Sequence, residues 1–227
     1  MSPLQALFRL YRPMMIWFGG ALLTTEVIAV SAIMSLSGPL RFSYWLAMAG
    51  AVAKYWPLVL GGMLVMINLR QFLTSGVTRR EFILAAAVIG VLVSAGIGCL
   101  VAVGHGVESA VLGLVDQRAA NYPVLPLGEV LGQVGQVLPV SLAYLTTGAL
   151  IAAGFHRFHP WVGVALIVPG AVPAAIADGL LGIDEFGVVT DRLPYWAALI
   201  ASVLAIAAAA AAFHRITRDI AIRPATG

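Results

Sequence analysis

The sequence is poor in charge, in lysine and in cysteine. Charged side chains make up 10% of its 227 residues, and Lys54 is its only lysine. Cys99 is its only cysteine, which excludes an intrachain disulfide. No phosphate loop of the form GxxxxGKS or GxxxxGKT occurs, so we expect ATP to be bound by another chain, if at all. His156 and His159 have no neighbouring cysteine or clustered acid to complete a zinc site, and we predict no bound metal.

Apolar residues dominate what remains. They form 61% of the chain, against about 45–50% in soluble domains, and the mean hydropathy is +0.97. A bilayer needs about 20 consecutive apolar residues per helix. Six segments of that kind occur, at 14–36, 56–75, 82–104, 134–155, 160–178 and 196–214. The sequence therefore predicts an all-α integral membrane protein with one transmembrane domain over 1–227.

Shorter segments flank these spans. Residues 3–12 have apolar and polar side chains on opposite helical faces, which predicts an amphipathic helix on the membrane surface, and Pro13 is expected to turn the chain into the first span. The apolar stretch 42–53 is too short to cross and is interpreted as interfacial or re-entrant. Residues 105–119 suggest a surface helix, and 179–195 a short helical or re-entrant connection.

The distribution of basic residues predicts the orientation. With six spans both termini share a side, and the positive-inside rule places the more basic side in the cytoplasm. That side would hold nine of the thirteen basic residues, namely Arg9, Arg12, Arg70, Arg79, Arg80, Arg157, Arg215, Arg218 and Arg223. We therefore expect a multi-pass protein of the cell membrane with both termini in the cytoplasm.

The connection between spans two and three carries a recognisable polar motif. In the stretch TRRE, Thr78 can accept from the amide of Glu81, and Glu81 can accept from the amide of Thr78, which is a capping box. Gly76 suits the end of the preceding helix. The motif predicts a tight helical turn with Arg79 and Arg80 at its surface. Two interpretations stay open, a membrane anchor of positive charge and a docking surface.

The amphipathic first segment, the six spans and the string LxxGVTRREFxxA within 69–86 resemble the small type-2 permeases of bacterial ABC transporters. The resemblance implies that this turn is a coupling helix that docks on a separate ABC ATPase, which binds ATP and Mg. The implied docking residues are Gly76, Thr78, Arg79, Arg80, Glu81 and Phe82. It also implies export, a dimer of identical or different permease chains surrounded by lipid, no cofactor in this chain, and no nucleic-acid partner.

Polar residues inside the spans are candidates for the translocation path or for gating. Glu26 lies near the middle of span one, where an acid costs roughly 2.5–3.5 kcal/mol to insert, so we expect it to face protein or a cavity rather than lipid. The alternative to a role in transport is a structural hydrogen bond to Thr24, Thr25 or a neighbouring span. Asn68 is a second candidate or a helix–helix hydrogen bond. Pro169, Pro173 and Asp178 predict a kink near the outer mouth of span five, either static or used in gating.

Two other classes of function are compatible with these residues. A proton-coupled carrier or channel could use Glu26 and would need no ATPase. An intramembrane enzyme needs a positioned nucleophile or paired acids and bases, whereas the deep polar positions are only Glu26 and scattered Ser and Thr. We therefore expect a non-catalytic membrane subunit. Its apolar interior is compatible with a lipid, a hydrophobic drug or a modified peptide as cargo.

Overall fold

The protein is a bundle of helices. The computed structural model describes residues 2–37, 40–124, 126, 129–183 and 193–218. Across these residues the backbone is helical, without β-strands. In chain order the elements are α1 (Pro3–Ser37), α2 (Tyr44–Met63), a π-helical turn (Leu64–Leu69), α3 (Arg70–Thr74), α4 (Arg79–Leu114), α5 (Val130–Arg157), α6 (Pro160–Ala165), α7 (Ile167–Leu181) and α8 (Tyr195–Arg218).

Six helical segments are long and apolar enough to cross a membrane. They are Pro3–Ser35, Tyr44–Thr74, Arg79–Leu114, Val130–Arg157, Pro160–Leu181 and Tyr195–Arg218. The predicted all-α class and the predicted number of membrane-length helices are confirmed. Several of the helices extend well beyond the predicted spans, and the extensions change the interpretation of three flanking segments.

Helix α1 is continuous through Pro13. The predicted turn between a surface helix at 3–12 and the first span is therefore wrong. Proline removes one backbone hydrogen bond, but it does not break a helix whose two halves are held in line by their neighbours. Leu7 and Tyr11 before the proline and Met15 after it pack into the same apolar cluster, which supplies that support.

Residues 44–53 form the start of α2, so the predicted short separate segment is instead continuous with the second membrane-length helix. Ser43 caps the helix, accepting from the amide of Leu46 at 3.0 Å. Trp45 is 1% exposed, and its Nε1 donates to the carbonyl of Val101 on α4 at 2.8 Å. The sequence analysis missed this role because the contact joins residues 56 positions apart, which the residues around Trp45 alone do not reveal.

The predicted surface helix at 105–119 is instead the last part of α4, which runs without interruption to Leu114. Asp116 ends it with a left-handed φ of 55°. Leu40 then pairs with the loop, donating to the carbonyl of Gln117 at 2.9 Å and accepting from the amide of Ala119 at 3.0 Å. Of the predicted connection 179–195, residues 184–192 lie outside the described residues.

Helix α5 is the centre of the bundle and packs against α2, α4, α7 and α8. Its backbone touches that of α2 at two glycines. A Cβ atom on Gly61 would lie 2.0 Å from the carbonyl oxygen of Leu145, and one on Gly148 would lie 1.9 Å from that of Leu58. Small residues let membrane helices approach this closely. Helix α1, by contrast, lies at the edge and contacts only α2 and α4 substantially.

Span five is broken, but not where the sequence predicts. Helix α6 ends at Ala165 and α7 starts at Ile167, while Pro173 lies inside the continuous α7. The break precedes Pro169 by about one turn, since a proline ring clashes with the carbonyl four residues earlier. The kink therefore lies close to the start of the span at Pro160, and the predicted position near the Asp178 end is wrong.

The helix ends define two faces of the bundle. The start of α1, the turn at 75–78, the turn at 158–159 and the end of α8 lie together, and we call this the turn end. We call the end that holds 40–43 and 115–124 the opposite end. The described basic residues at the turn end are Arg9, Arg12, Arg70, Arg79, Arg80, Arg157, Arg215 and Arg218. Only one described acid, Glu81, lies there.

Candidate functional site

The polar turn between α3 and α4 has the geometry that its sequence predicts. Gly76 has a left-handed φ of 88°, which glycine adopts without strain. The amide of Thr78 donates to Glu81 Oε2 at 2.9 Å, and the amide of Glu81 donates to Thr78 Oγ1 at 3.3 Å. The capping box is therefore confirmed. It fixes the first turn of α4, which is the longest helix described.

The predicted docking residues divide into three groups. Gly76, Thr78, Arg80 and Glu81 are exposed at the turn end. Arg79 is only half-exposed, for the reason given below. Phe82 is fully buried and its ring centroid lies 5.5 Å from that of Phe72. Phe82 therefore cannot offer a docking surface in this structure, because it forms part of the core that holds α3 against α4.

Two arginines from separate turns hold the end of α8. Arg79 Nη1 donates to the carbonyls of Thr217, at 3.3 Å, and of Arg218. Arg157, in the last turn of α5, donates to the carbonyls of Arg215 and Ile216 at 3.1 and 3.0 Å. The last carbonyls of a helix lack partners within the helix and favour cations. Arg79 thus joins the polar turn to the last span, a contact that no sequence pattern indicated.

Removal of the cap should weaken the turn measurably. Thr78→Ala is expected to lower the free energy of unfolding by about 1 kcal/mol, because the amide of Glu81 loses its acceptor. Thr24→Ala is the matched control, since its exposed hydroxyl donates to the carbonyl of Gly20 within its own helix. Thermal unfolding of both purified variants measures the difference. Equal losses would show that the cap contributes nothing specific.

Asn68 bridges two helices. It lies in the π-helical turn, is 3% exposed, and its Nδ2 donates to Tyr11 Oη on α1 at 2.6 Å. This contact favours the helix–helix interpretation over the translocation path. The π-helical turn rotates the residues that follow it relative to a regular helix, and such turns occur frequently at functional sites.

Asp178 forms an ion pair that the sequence did not indicate. Its carboxylate lies 2.7 Å from Nζ of Lys54 on α2, and Tyr144 Oη donates to it at 3.3 Å. Lys54 precedes the predicted span 56–75, whereas the structure places it within the second membrane-length helix, Tyr44–Thr74. Both side chains are about one quarter exposed. Lys54 also lines a small apolar cavity of about 20 Å³. Room for a single water does not make a substrate pocket.

Glu26 faces protein, as predicted, but its surroundings differ from the prediction. It is 8% exposed and interacts electrostatically with Glu108 on α4. Thr24 and Thr25 are exposed and bond to carbonyls of their own helix, so neither is its partner. By helical rise Glu26 lies roughly 35 Å from the start of α1 at Pro3.

Glu108 is the centre of a buried polar cluster at the opposite end. It is 7% exposed and accepts hydrogen bonds from Ser43 Oγ, from the amide of Tyr44 at 3.0 Å and from Tyr122 Oη at 2.8 Å. Burial, and then the charge of Glu108, raises the pKa of Tyr122. The phenol therefore keeps its proton and serves as a donor. The sequence analysis missed this cluster because Glu108 was assigned to an exposed surface helix.

A second set of bonds ties the same loop to α4 and α5. His105 Nε2 bonds the carbonyl of Pro123 at 2.9 Å, and its Nδ1 lies 3.4 Å from the side-chain amide of Gln133. Arg118 donates to Ser109 Oγ at 3.5 Å. The buried His105 therefore bridges α4 to the loop and to α5. Within the described residues no three metal-ligating side chains cluster.

Two of the polar sites lie far apart on the same helix. The exposed turn and the Glu26–Glu108 pair lie near opposite ends of α4, about 43 Å apart by helical rise between Arg79 and Glu108. Comparison of the chain with family models, curated proteins and solved structures found no match. The function is accordingly inferred from these two sites and from the arrangement of the helices.

Proposed function

We propose that this chain is the membrane subunit of an ATP-driven ABC exporter and that the turn at 75–81 docks on a separate ATPase. The observation that carries the proposal is the exposed, doubly capped turn between two membrane-length helices. A partner that pushes on such a turn moves helices directly, whereas a loose loop would absorb the displacement. The side chains of Arg80 and Glu81 supply charge-assisted bonds to a partner surface.

The contacts of the turn supply a route for the movement. Phe82 links the turn to the core around α3, and Arg79 links it to the last residues of α8. Displacement of the turn would therefore act on the second, third and sixth membrane-length helices together. In this proposal Arg79 transmits the movement to α8, and Arg80 contacts the ATPase. The resemblance, by contrast, implies docking for both arginines.

The charge distribution supports a cytoplasmic turn end. Eight described arginines lie there, whereas the described acids other than Glu81 lie at or towards the opposite end. The positive-inside rule therefore favours a multi-pass cell-membrane protein in which the start of α1 and the end of α8 both face the cytoplasm. Two such chains, identical or different, would enclose the path for an apolar cargo, each in contact with an ATPase that binds ATP and Mg.

Charge reversal at the turn tests the docking surface without disturbing the cap. Arg80→Glu is expected to abolish co-purification with an ABC ATPase encoded beside this chain and to remove stimulation of its ATP hydrolysis. Arg41→Glu, an exposed arginine at the opposite end, is the matched control and should leave both unchanged. Thermal unfolding of each variant checks that the fold is intact.

Two results would refute the proposal. One is unchanged assembly and unchanged stimulated hydrolysis in Arg80→Glu. The other is transport by the purified chain alone, in vesicles without nucleotide, which would favour a carrier that uses Glu26.

Labelling of a single cysteine placed at Ser75 in a Cys99→Ser background tests the orientation, because reactivity from outside intact cells would put the turn on the wrong side.

A further inference from the structure

Glu26 is an unusual side chain for its position on α1. Its neighbours from Leu23 to Thr25 and Val27 to Ile28 are exposed, as expected for a helix at the edge of the bundle. Glu26 alone among them turns inward and is more than nine-tenths buried. Neither carboxyl oxygen has a hydrogen-bond donor among the residues that the structure describes. A buried carboxylate without donors is strongly destabilising, so its partner must be sought nearby.

The charged group that interacts with Glu26 is a second carboxyl group. Glu108 interacts with Glu26 across the α1–α4 interface, and it already accepts bonds from Ser43, Tyr44 and Tyr122. Three donors stabilise the negative charge of Glu108, whereas Glu26 has none from the described residues. Two adjacent buried carboxyl groups cannot both be ionised without a large energetic cost.

We propose that Glu26 and Glu108 form a buried proton-binding site, in which Glu26 holds the proton and donates it to the carboxylate of Glu108. The pair then carries one negative charge, and each oxygen that faces the other carboxyl group gains a partner. This site is independent of the proposed docking at the turn end, because it depends only on contacts at the opposite end.

A proton fits this site better than a metal ion does. Calcium takes roughly 6–8 oxygen ligands, and magnesium demands an octahedral set. The described residues supply no group of three or more metal-ligating side chains here. Its three donors engage three of the roughly four lone-pair sites of the Glu108 carboxylate, which leaves one site for a hydrogen bond from Glu26 and too few oxygens for a cation.

The other titratable groups around the pair do not replace the proton. From the loop after α4, Tyr122 faces both carboxyl groups and donates to Glu108. From α4 itself, His105 bonds Pro123, and Arg118 in the loop bonds Ser109. From α2, the contribution is the hydroxyl of Ser43 and the amide of Tyr44. Within the described part of the chain no cation pairs with Glu26.

The site makes the packing of α1 depend on a proton. Helix α1 is held by few contacts, and within residues 3–35 only Glu26, Leu7, Tyr11 and Leu22 are buried. Ionisation of Glu26 would place two negative charges face to face between α1 and α4. We therefore expect α1 to loosen from α4 when the proton leaves, and to repack when it returns.

Infrared spectroscopy of the full-length protein tests the site directly. At neutral pH the wild type is expected to show the carbonyl stretch of a protonated carboxylic acid that is shielded from water. Glu26→Gln should abolish this band, because its amide donates to Glu108 without a titratable proton. Glu129→Gln, at an exposed position of the same end, should leave the band unchanged. Glu26→Met serves as a second variant that needs no hydrogen-bond partner.

The pH dependence of thermal unfolding is a second readout. The folded chain binds one proton more than the unfolded chain, so the stability of the wild type is expected to fall as pH rises from acidic to alkaline. The midpoint temperature of thermal unfolding of Glu26→Gln should fall less over the same pH range. Measurements on the wild type are enough to overturn the proposal. They do so if the infrared band of a protonated acid is missing, or if the unfolding midpoint does not change with pH over this range. A band that persists in a folded Glu26 variant would overturn it equally.

Discussion

Gly61→Ala is expected to destabilise the protein severely. The added methyl group would lie 2.0 Å from the carbonyl oxygen of Leu145, so α2 and α5 would have to separate. Overpacking of a core typically costs about 1–3 kcal/mol, and a backbone atom cannot rotate away as a side chain can. We expect a loss at or above the upper end of this range, because α5 is the helix on which the others pack.

The adjacent glycine provides the control. A Cβ atom on Gly62 meets nothing within 4 Å, so Gly62→Ala should be neutral or stabilising by about 0.5–1 kcal/mol through helix propensity. Thermal unfolding of the two variants in the same detergent gives the comparison. Gly148→Ala should reproduce the loss from the other side of the contact. If Gly61→Ala and Gly62→Ala unfold alike, α2 and α5 are not in backbone contact.

Glu108→Ala is expected to have a comparable effect at the opposite end of the bundle. The substitution leaves the hydroxyl of Ser43, the amide of Tyr44 and the hydroxyl of Tyr122 without their acceptor. Each buried donor that loses its partner costs about 1–3 kcal/mol. We therefore expect a loss of roughly 3 kcal/mol or more, together with release of the loop that contains Tyr122.

Two measurements separate this loss from a general effect of removing an acid. Glu129→Ala removes an exposed carboxylate near the same end and should change the unfolding midpoint little. Hydrogen exchange should increase at the start of α2 and in the loop after α4, but not at the turn end. An unchanged midpoint in Glu108→Ala would mean that its three donors are satisfied by other groups, and that this cluster does not hold α2 to α4.

The proposed docking turn and the proposed proton-binding site lie at opposite ends of one helix, α4. Its start is capped, exposed and joined to α8 through Arg79, and its end holds the carboxyl pair that contacts α1. In the proposed exporter the first end receives force from the ATPase. The second end holds the edge helix in a proton-dependent contact. Comparing Arg80→Glu with Glu26→Gln in one transport assay would show whether the two ends act on the same step.

Local features were predictable from the sequence. The capping box at Thr78 and Glu81 and the left-handed Gly76 depend on residues at most five positions apart, and the structure confirms them. The number of membrane-length helices follows from the length of the apolar runs, which is a property of the chain and of the bilayer alone. The prediction that Glu26 faces protein followed from the cost of exposing an acid to lipid.

The tertiary structure decided which residues meet. Glu26 and Glu108 are 82 positions apart, and Arg79 and Thr217 are 138 apart. Helical periodicity gives the face on which a side chain lies but not the helix that packs against it, so no local pattern could reveal these contacts. For the same reason the sequence analysis did not give the surroundings of Phe82, Trp45 and Lys54. An apolar or charged side chain has a different role when it contacts protein, lipid or water. The sequence determined what crosses the membrane, and packing determined where its polar groups find partners.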